Sequence, residues 1–410
     1  MDERAEKGGE VYRRQRLAHP AADRAAAPDW AAMHRVLAIR PDNVGDVIML
    51  TPALRALRRA APKARLELLA SPAGSALRPL LPDIDGLLTL SPSWQQVGEP
   101  AAADRLAASE EALVGMLAAR GYDAAVAFTS PTQSPWPPLY AALLAGVGVR
   151  VGQSAEFAGA LATHWVTPPP EHTHQVDRCL HLLASVGVPA AGRDPVLQVP
   201  ASARQQAREV LPGTPFALLV PGASASARRY PAERFGAVAG CLAASGLPVL
   251  VTGTDEEQPL VQRVVRSANH PRVRALPVLD LTVLAAVVAA AAVAVTNNSG
   301  GMHLADALGT PVAVAWSGTE LSGDMAPRAV PSALLGRPVS CAPCRQFSCP
   351  YDHECLDVKP EQLVAAALRL SGTPRNASPS RKAPQRSQTP RSRAVEEGTC
   401  PTATNPGAAR

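Results

Sequence analysis

Between an Ala/Val-rich apolar run and the helix-like stretch Leu304-Ala-Asp-Ala-Leu-Gly309, the chain carries Val295-Thr-Asn-Asn-Ser-Gly-Gly-Met-His303. A strand that turns through two adjacent glycines into a helix, with a small hydroxyl and two amides at the turn, has few ways to fold. The turn aims the unpaired N–H groups of the helix start and the positive end of its dipole at one point, which suits a phosphate. The glycines let the backbone approach a ligand closely. A plain helix cap gives the same local pattern, so this segment alone specifies a strand–turn–helix and not a ligand.

A second segment of the same kind lies far upstream: Val36-Leu-Ala-Ile-Arg-Pro-Asp-Asn-Val-Gly-Asp46, followed by Val47-Ile-Met-Leu-Thr-Pro-Ala-Leu54. An apolar β-branched strand runs into a turn, and Pro52 is expected near the first turn of a helix over 52–60. Asp46 then sits at the carboxyl end of a strand, where open α/β sheets bind ligands. The alternative for a single Asp in such a place is a helix cap.

Between these landmarks the chain alternates strand and helix twice over. Strands are predicted at 36–39, 66–70, 87–90, 124–128 and 149–151, and again at 217–220, 249–252, 292–296 and 312–315. Helices are predicted at 52–60, 73–80, 104–120 and 138–144, then at 202–210, 232–245, 256–267, 282–290 and 302–308. Such alternation means parallel sheets covered on both faces. A length of 410 residues favours two domains, and 47% apolar residues with only 4% aromatics suit small-residue helices on parallel strands. The predicted class is α/β, with two Rossmann-like domains facing each other across a cleft. The first spans 35–187, the second 201–371, and Val188–Pro200, with three prolines and a glycine, is the linker.

Residues 1–34 lack sustained apolar periodicity, and residues 372–410 are rich in Pro, Ser, Thr and Arg, so both are expected to be disordered. A formal charge of only +5, much of its basic excess in the tails, argues against a nucleic-acid partner. The N-terminus has no secretory h-region and no apolar run spans a bilayer, which predicts a cytoplasmic protein; the basic tail leaves peripheral contact with an anionic inner membrane face open. Neither half has Gly-x-Gly-x-x-Gly after its first strand, against a nicotinamide or flavin cofactor.

Taken together, five segments in order resemble glycosyltransferase family 9, the ADP-heptose:lipopolysaccharide heptosyltransferase family. They are Arg40–Arg58, Pro221–Phe235, Val251–Glu257, Asn298–Ala305 and the run Cys341-Ala-Pro-Cys344 … Cys349-Pro … Cys355. The resemblance spans about residues 35 to 371 and implies the GT-B arrangement, with an acceptor held by the first domain and a nucleotide sugar by the second. It implies that Ser224, Arg228 and the Ser299-Gly300-Gly301 turn contact the donor phosphates, with Arg229 nearby. Glu256 or Glu257 would accept hydrogen bonds from the ribose, and Asn298 would face the donor sugar. The family usually has Asp where Asn298 stands, so a negative charge is missing there. His303 is expected in a structural or supporting role one turn into the helix.

Four of the seven cysteines form Cys341-x2-Cys344-x4-Cys349-x5-Cys355, with His353 among them. That spacing can hold a structural zinc; the other reading is a local brace without metal. No cofactor is expected beyond an ADP-sugar co-substrate, no catalytic metal site is found, and the sequence does not give the oligomeric state. The expected activity is inverting, metal-independent transfer of a heptose or related sugar from an ADP-sugar to a glycan or glycolipid acceptor such as lipopolysaccharide core, with Asp46 as general base. A sugar-nucleotide epimerase and a non-catalytic sugar-nucleotide-binding protein are the alternatives. Loops 91–103 and 129–138 are the acceptor candidates.

Overall fold

The computed structural model describes residues 26–96, 102–157 and 159–372. The first half runs β1 (Arg35–Arg40), α1 (Val44–Ala60), β2 (Arg65–Ala70), α2 (Pro72–Ser75), β3 (Gly86–Thr89), α3 (Ala103–Arg120), β4 (Ala124–Ala127), α4 (Trp136–Leu144), β5 (Val149–Gln153), β6 (His164–Val166) and α5 (Gln175–Ala184). The second runs α6 (Ala201–Ala207), β7 (Ala217–Val220), α7 (Ala232–Ala244), β8 (Val249–Val251), α8 (Gln258–Ala268), β9 (Val273–Ala275), α9 (Leu281–Ala290) and β10 (Val293–Asn297). It continues through α10 (Gly300–Ala307), β11 (Val312–Ala315), α11 (Ser322–Met325), β12 (Ser332–Leu335) and α12 (Pro360–Ser371).

Each half forms a six-stranded sheet, ordered β3-β2-β1-β4-β5-β6 and β12-β11-β10-β7-β8-β9. Every strand pair is parallel. Numbered from its own first strand, the second sheet has the order of the first. In both, the order reverses beside the first strand, between β1 and β4 and between β7 and β10. A crevice opens at the carboxyl ends of such a pair, where ligands bind. The two halves therefore match the predicted α/β, GT-B-type plan.

The central strands are mostly apolar because helices cover both faces; in β10 every residue is buried. One apolar cluster joins the halves, taking in Val36, Leu50 and Leu57 from the first and Leu218, Val287 and Met302 from the second. The segment expected as a linker is packed into the structure: Val188, Leu197 and Val199 are buried, and the Val196 N–H donates to Thr51 Oγ1.

Three expectations need correction. Pro52 is not near the start of its helix; α1 begins at Val44, and Pro52 lies in its middle. Proline has no N–H for the carbonyl four residues back, and the Thr51 hydroxyl donates to that Ile48 carbonyl instead, at 2.8 Å. The second correction concerns the N-terminal extension, expected to be disordered through residue 34. Trp30 is buried, and its indole N–H donates to the Val186 carbonyl at 2.8 Å. Residues 1–25 and 373–410 lie outside the described residues. Third, β6, β9, β12, α5, α11 and α12 were not anticipated. Among the described residues, no helix is long and apolar enough to cross a membrane.

Candidate active site

Arg40 closes β1 and is fully buried. A buried guanidinium needs partners. Its Nη2 donates to Asp46 Oδ1 at 2.7 Å and to Ser130 Oγ at 2.8 Å, and its Nε lies 3.0 Å from Asp42 Oδ2. Ser130 follows β4, so this cluster sits in the first sheet's crevice. Gln133 donates to the other Asp42 oxygen at 2.6 Å. Burial pushes the Asp42 carboxyl up from its usual range, against the pull of Arg40.

Asp46, expected at the strand end ahead of a helix over 52–60, lies inside that helix, in the first turn of α1, because α1 already begins at Val44. There the helix dipole favours a carboxylate. Arg40 holds one oxygen, and the side chain is 22% exposed, so the carboxylate is oriented yet reaches the cleft.

Facing it is the second sheet's crevice. Asn297, closing β10, accepts the Tyr230 N–H with its side-chain oxygen and donates to the Pro221 carbonyl. Those bonds fix the loop after β7, which carries Ser224 and Arg228. Ser224 is exposed, and Arg228 is partly exposed. Arg229, expected beside the donor, instead donates from Nε to the Ala223 carbonyl and braces its own loop.

Ser299 caps α10, with Gly300 and Gly301 as its first residues. The Ser299 N–H already donates to the Asn297 carbonyl at 2.8 Å, so it is not a free phosphate donor; its hydroxyl faces the Gly222 carbonyl at 3.3 Å. The first-turn N–H groups of Gly300 and Gly301 have no acceptor within the helix. A Cβ on Gly301 would meet Val220 at 2.9 Å and Thr296 at 3.0 Å, so this glycine lets α10 lie close on its sheet.

The structure separates the two ribose candidates. Glu256 is exposed. Glu257 Oε2 accepts the Thr254 N–H at 3.0 Å, and its carboxylate lies where a Cβ on Gly222 would come within 2.0 Å. Of the two, Glu257 is the one in the crevice between the loops after β7 and β8.

Asn298 does not face an open sugar pocket. It is 3% exposed; its oxygen accepts from the Ser317 N–H and hydroxyl, each at 3.0 Å. Its amide donates toward Thr319 Oγ1 at 3.3 Å and Glu320 Oε2 at 3.5 Å. Glu320, which sequence reasoning missed, also forms an ion pair with Arg228.

The two crevices meet through helix starts. A Cβ on Gly45 would lie 2.6 Å from His303 Cδ2, and one on Gly300 would lie 3.8 Å from Val44. His303 is thus packed under the first turn of α1. Burial pushes its imidazole down to about 4. Nearby, His174 Nε2 meets the Ala326 carbonyl at 3.0 Å, and Arg328 reaches His174 and Asp177, tying α5 to the segment between α11 and β12.

Cys341, Cys344, Cys349 and Cys355 line one cavity of about 270 Å³ with Ala227, Gly318 and Thr319. Among the described residues, no three His, Cys, Asp or Glu side chains converge as a metal-holding group. The lobe is stitched to the loops after β7 and β11 by main-chain bonds. Ala227 N–H donates to Phe347, Cys344 N–H to Gly318 and Arg345 N–H to Thr319, each at 3.0 Å.

The arrangement can hold an anion between Arg228 and the α10 start and present a carboxylate to it from the opposite sheet. Solved structures share this fold. A glycosyl transferase family 9 protein from Veillonella parvula DSM 2008 is 21% identical, with a TM-score of 0.68 over 85% of this chain and 99% of that one. ADP-heptose LPS heptosyltransferase II of E. coli is 20% identical, with a TM-score of 0.66 over 82% of this chain and 98% of that one. The E. coli heptosyltransferase WaaC with ADP-2-deoxy-2-fluoro heptose is 21% identical, with a TM-score of 0.58 over 82% and 98%. No curated protein matches the chain. The family model described as glycosyltransferase family 9 (heptosyltransferase) matches residues 112–354. That segment takes in Arg228, Glu257, the α10 turn and all but the last cysteine of the cluster, and leaves Asp46 outside. Since it is more than half of the chain, the protein belongs to glycosyltransferase family 9, the heptosyltransferase family.

Proposed function

We propose that this glycosyltransferase moves a heptose, or a closely related sugar, from an ADP-sugar to a hydroxyl of a glycan or glycolipid acceptor, with inversion and without a catalytic metal. One observation carries the reading: the first turn of α1, with Asp46, packs directly against the first turn of α10, where the charges of Asp46 and Arg228 both act on His303. A carboxylate and an anion site then share one cleft.

In the proposed reaction the acceptor hydroxyl gives its proton to the Asp46 carboxylate as its oxygen attacks the anomeric carbon. The bond from that carbon to the distal phosphate breaks, and ADP leaves with the electron pair on the opposite face, which inverts the centre. Proton removal by a positioned base accelerates such a step by about 10²–10⁴-fold. Arg40 keeps the carboxylate in one orientation. Charge growing on the distal phosphate is met by the Arg228 guanidinium and the N–H groups of Gly300 and Gly301, an electrostatic contribution made without reorganisation. Glu257 would accept from the ribose hydroxyls.

The relatives named for ADP-heptose and LPS motivate the donor and the acceptor class. A lipid-linked acceptor would bring the protein to the inner membrane face, where the basic C-terminal segment adds attraction. Mass spectrometry of products from ADP-, UDP- and GDP-sugars with a panel of glycan and glycolipid acceptors tests the proposal. Transfer from ADP-sugars with inverted configuration is expected. Transfer only from another nucleotide, or epimerised free sugar without transfer, would overturn it.

A further inference from the structure

Glu320 is an acid in an unusual position. Its backbone carbonyl accepts the Trp316 indole N–H at 3.2 Å, and its Oε2 accepts the Thr319 hydroxyl at 3.1 Å. The amide of Asn298 faces the same oxygen at 3.5 Å, while Oε1 pairs with Arg228. The side chain is 19% exposed, so it reaches the cleft beside the α10 turn while its loop fixes it. Three contacts orient one carboxylate far more tightly than neutralising a partly exposed arginine requires.

Asn298 gives the second observation. Its oxygen is committed to Ser317, so its amide must turn toward Thr319 and Glu320. An aspartate in its place would set a second carboxylate oxygen against Glu320 Oε2 in a buried position, where like charges repel strongly. Asn298 and Glu320 are thus a matched pair. The negative charge absent from the strand end is present on the neighbouring loop.

We propose that Glu320 is the residue of this chain that recognises the hydroxyls of the donor sugar, a role that rests on the donor reading above. A diphosphate competes with Glu320 for Arg228. As Arg228 turns to the phosphate, Oε1 loses its cation and must be satisfied by other donors. The sugar attached to the distal phosphate carries hydroxyls into that neighbourhood. ADP alone breaks the ion pair and returns nothing to the carboxylate; an ADP-sugar replaces the lost partner. The carboxylate therefore selects for the intact donor over the released nucleotide.

Calorimetry with ADP and with ADP-heptose on wild type and Glu320→Gln tests this. In Glu320→Gln, ADP should bind as well as before or more tightly, and the preference for ADP-heptose over ADP should fall about tenfold, the scale of one hydrogen bond to a charged group. Equal weakening of both ligands would reduce Glu320 to positioning Arg228, and unchanged binding of both would remove any role; either overturns the proposal. Thermal unfolding of Asn298→Asp, Glu320→Gln and the double variant tests the pairing without any ligand. Asn298→Asp should lower the melting temperature, and adding Glu320→Gln should restore most of the loss. Purely additive shifts would overturn the pairing. A wild type that binds neither ADP nor ADP-heptose would instead refute the donor reading, while the unfolding cycle would still decide whether the two side chains oppose each other.

Discussion

A Cβ on Gly45 would lie 2.6 Å from Cδ2 of His303, so α1 and α10 meet at a separation that only a hydrogen permits. In an ordinary helix, Gly→Ala adds about 1 kcal/mol of stability. Here Gly45→Ala should cost ~1–3 kcal/mol instead, as overpacking does in a filled interior, and turnover should fall because Asp46 moves with its helix turn. Thermal melts and steady-state rates check this. A stabilised variant with normal turnover would show that the two helix starts are not in fixed contact.

Asp46→Asn keeps shape and loses proton affinity. Turnover should drop by about two orders of magnitude or more, with ADP affinity nearly unchanged. Arg40→Lys keeps the charge but lacks the planar fork that reaches Asp42, Asp46 and Ser130 together. It should also lower turnover, by an amount between wild type and Asp46→Asn. Near-normal rates for Asp46→Asn would rule out its role as base.

Arg228→Ala should weaken ADP by about 1.5–3 kcal/mol and adenosine much less, the scale of a charge-assisted bond to phosphate. Because Glu320 already holds Arg228 in the free protein, the lower end is expected. Glu257→Gln should weaken ADP while Glu256→Gln leaves it unchanged, since only Glu257 lies in the crevice. Calorimetry on the three variants decides. Equal losses for ADP and adenosine in Arg228→Ala would refute the phosphate assignment.

Burial holds the His303 imidazole at about 4, below its ordinary 6.5. As pH falls, the unfolded chain takes up a proton before the native one does. Stability from this group is therefore full above about pH 6.5 and is lost as pH falls toward 4, by roughly 3 kcal/mol in all. Asp306 works the other way. Burial raises its carboxyl to about 6 from an ordinary 3.8, so its contribution is lost as pH rises from about 4 to 6. The His303 share is read as the difference between wild type and His303→Gln in urea unfolding across pH 4–7. A difference independent of pH would place His303 in contact with water.

EDTA should leave turnover intact if Arg228 and the α10 turn supply the countercharge. Replacing Cys341 and Cys344 by Ser should lower the melting temperature more than turnover per folded molecule, because both side chains line the cavity inside the lobe that joins the loops after β7 and β11. Strict dependence of turnover on added Mg²⁺ would overturn the metal-free mechanism, and elemental analysis reads any ion held by the cysteines.

The central strands β1, β4, β7 and β10 were legible because strands covered on both faces are continuous apolar runs. The edge strands β6, β9 and β12 are only partly buried, so nothing demands the continuous apolar run that marks a central strand. Asp46 and the α10 turn stood out because each lies beside a glycine near a strand end, whereas Arg228 was named from the family resemblance of its loop. Their partners were not. Ser130 reaches Arg40 across 90 residues of chain and Glu320 reaches Arg228 across 92, and no local pattern encodes such a meeting. Arg40 did leave a signal, as a charge ending a buried strand that must be paired. Pro52 misled in the opposite direction, since Thr51 repairs the bond that a mid-helix proline removes.

The shared strand order of the two sheets bears on how such a chain can diversify. Each half builds its own crevice from its own loops, so substitutions around Ser130 and Gln133 and those around Glu257 and Glu320 act on separate scaffolds. What the halves must keep in common is the narrow seam at Gly45, Gly300 and His303. A chimera that exchanges residues 35–187 between two such proteins should therefore inherit one parent's acceptor and the other's donor, provided the seam retains its glycines.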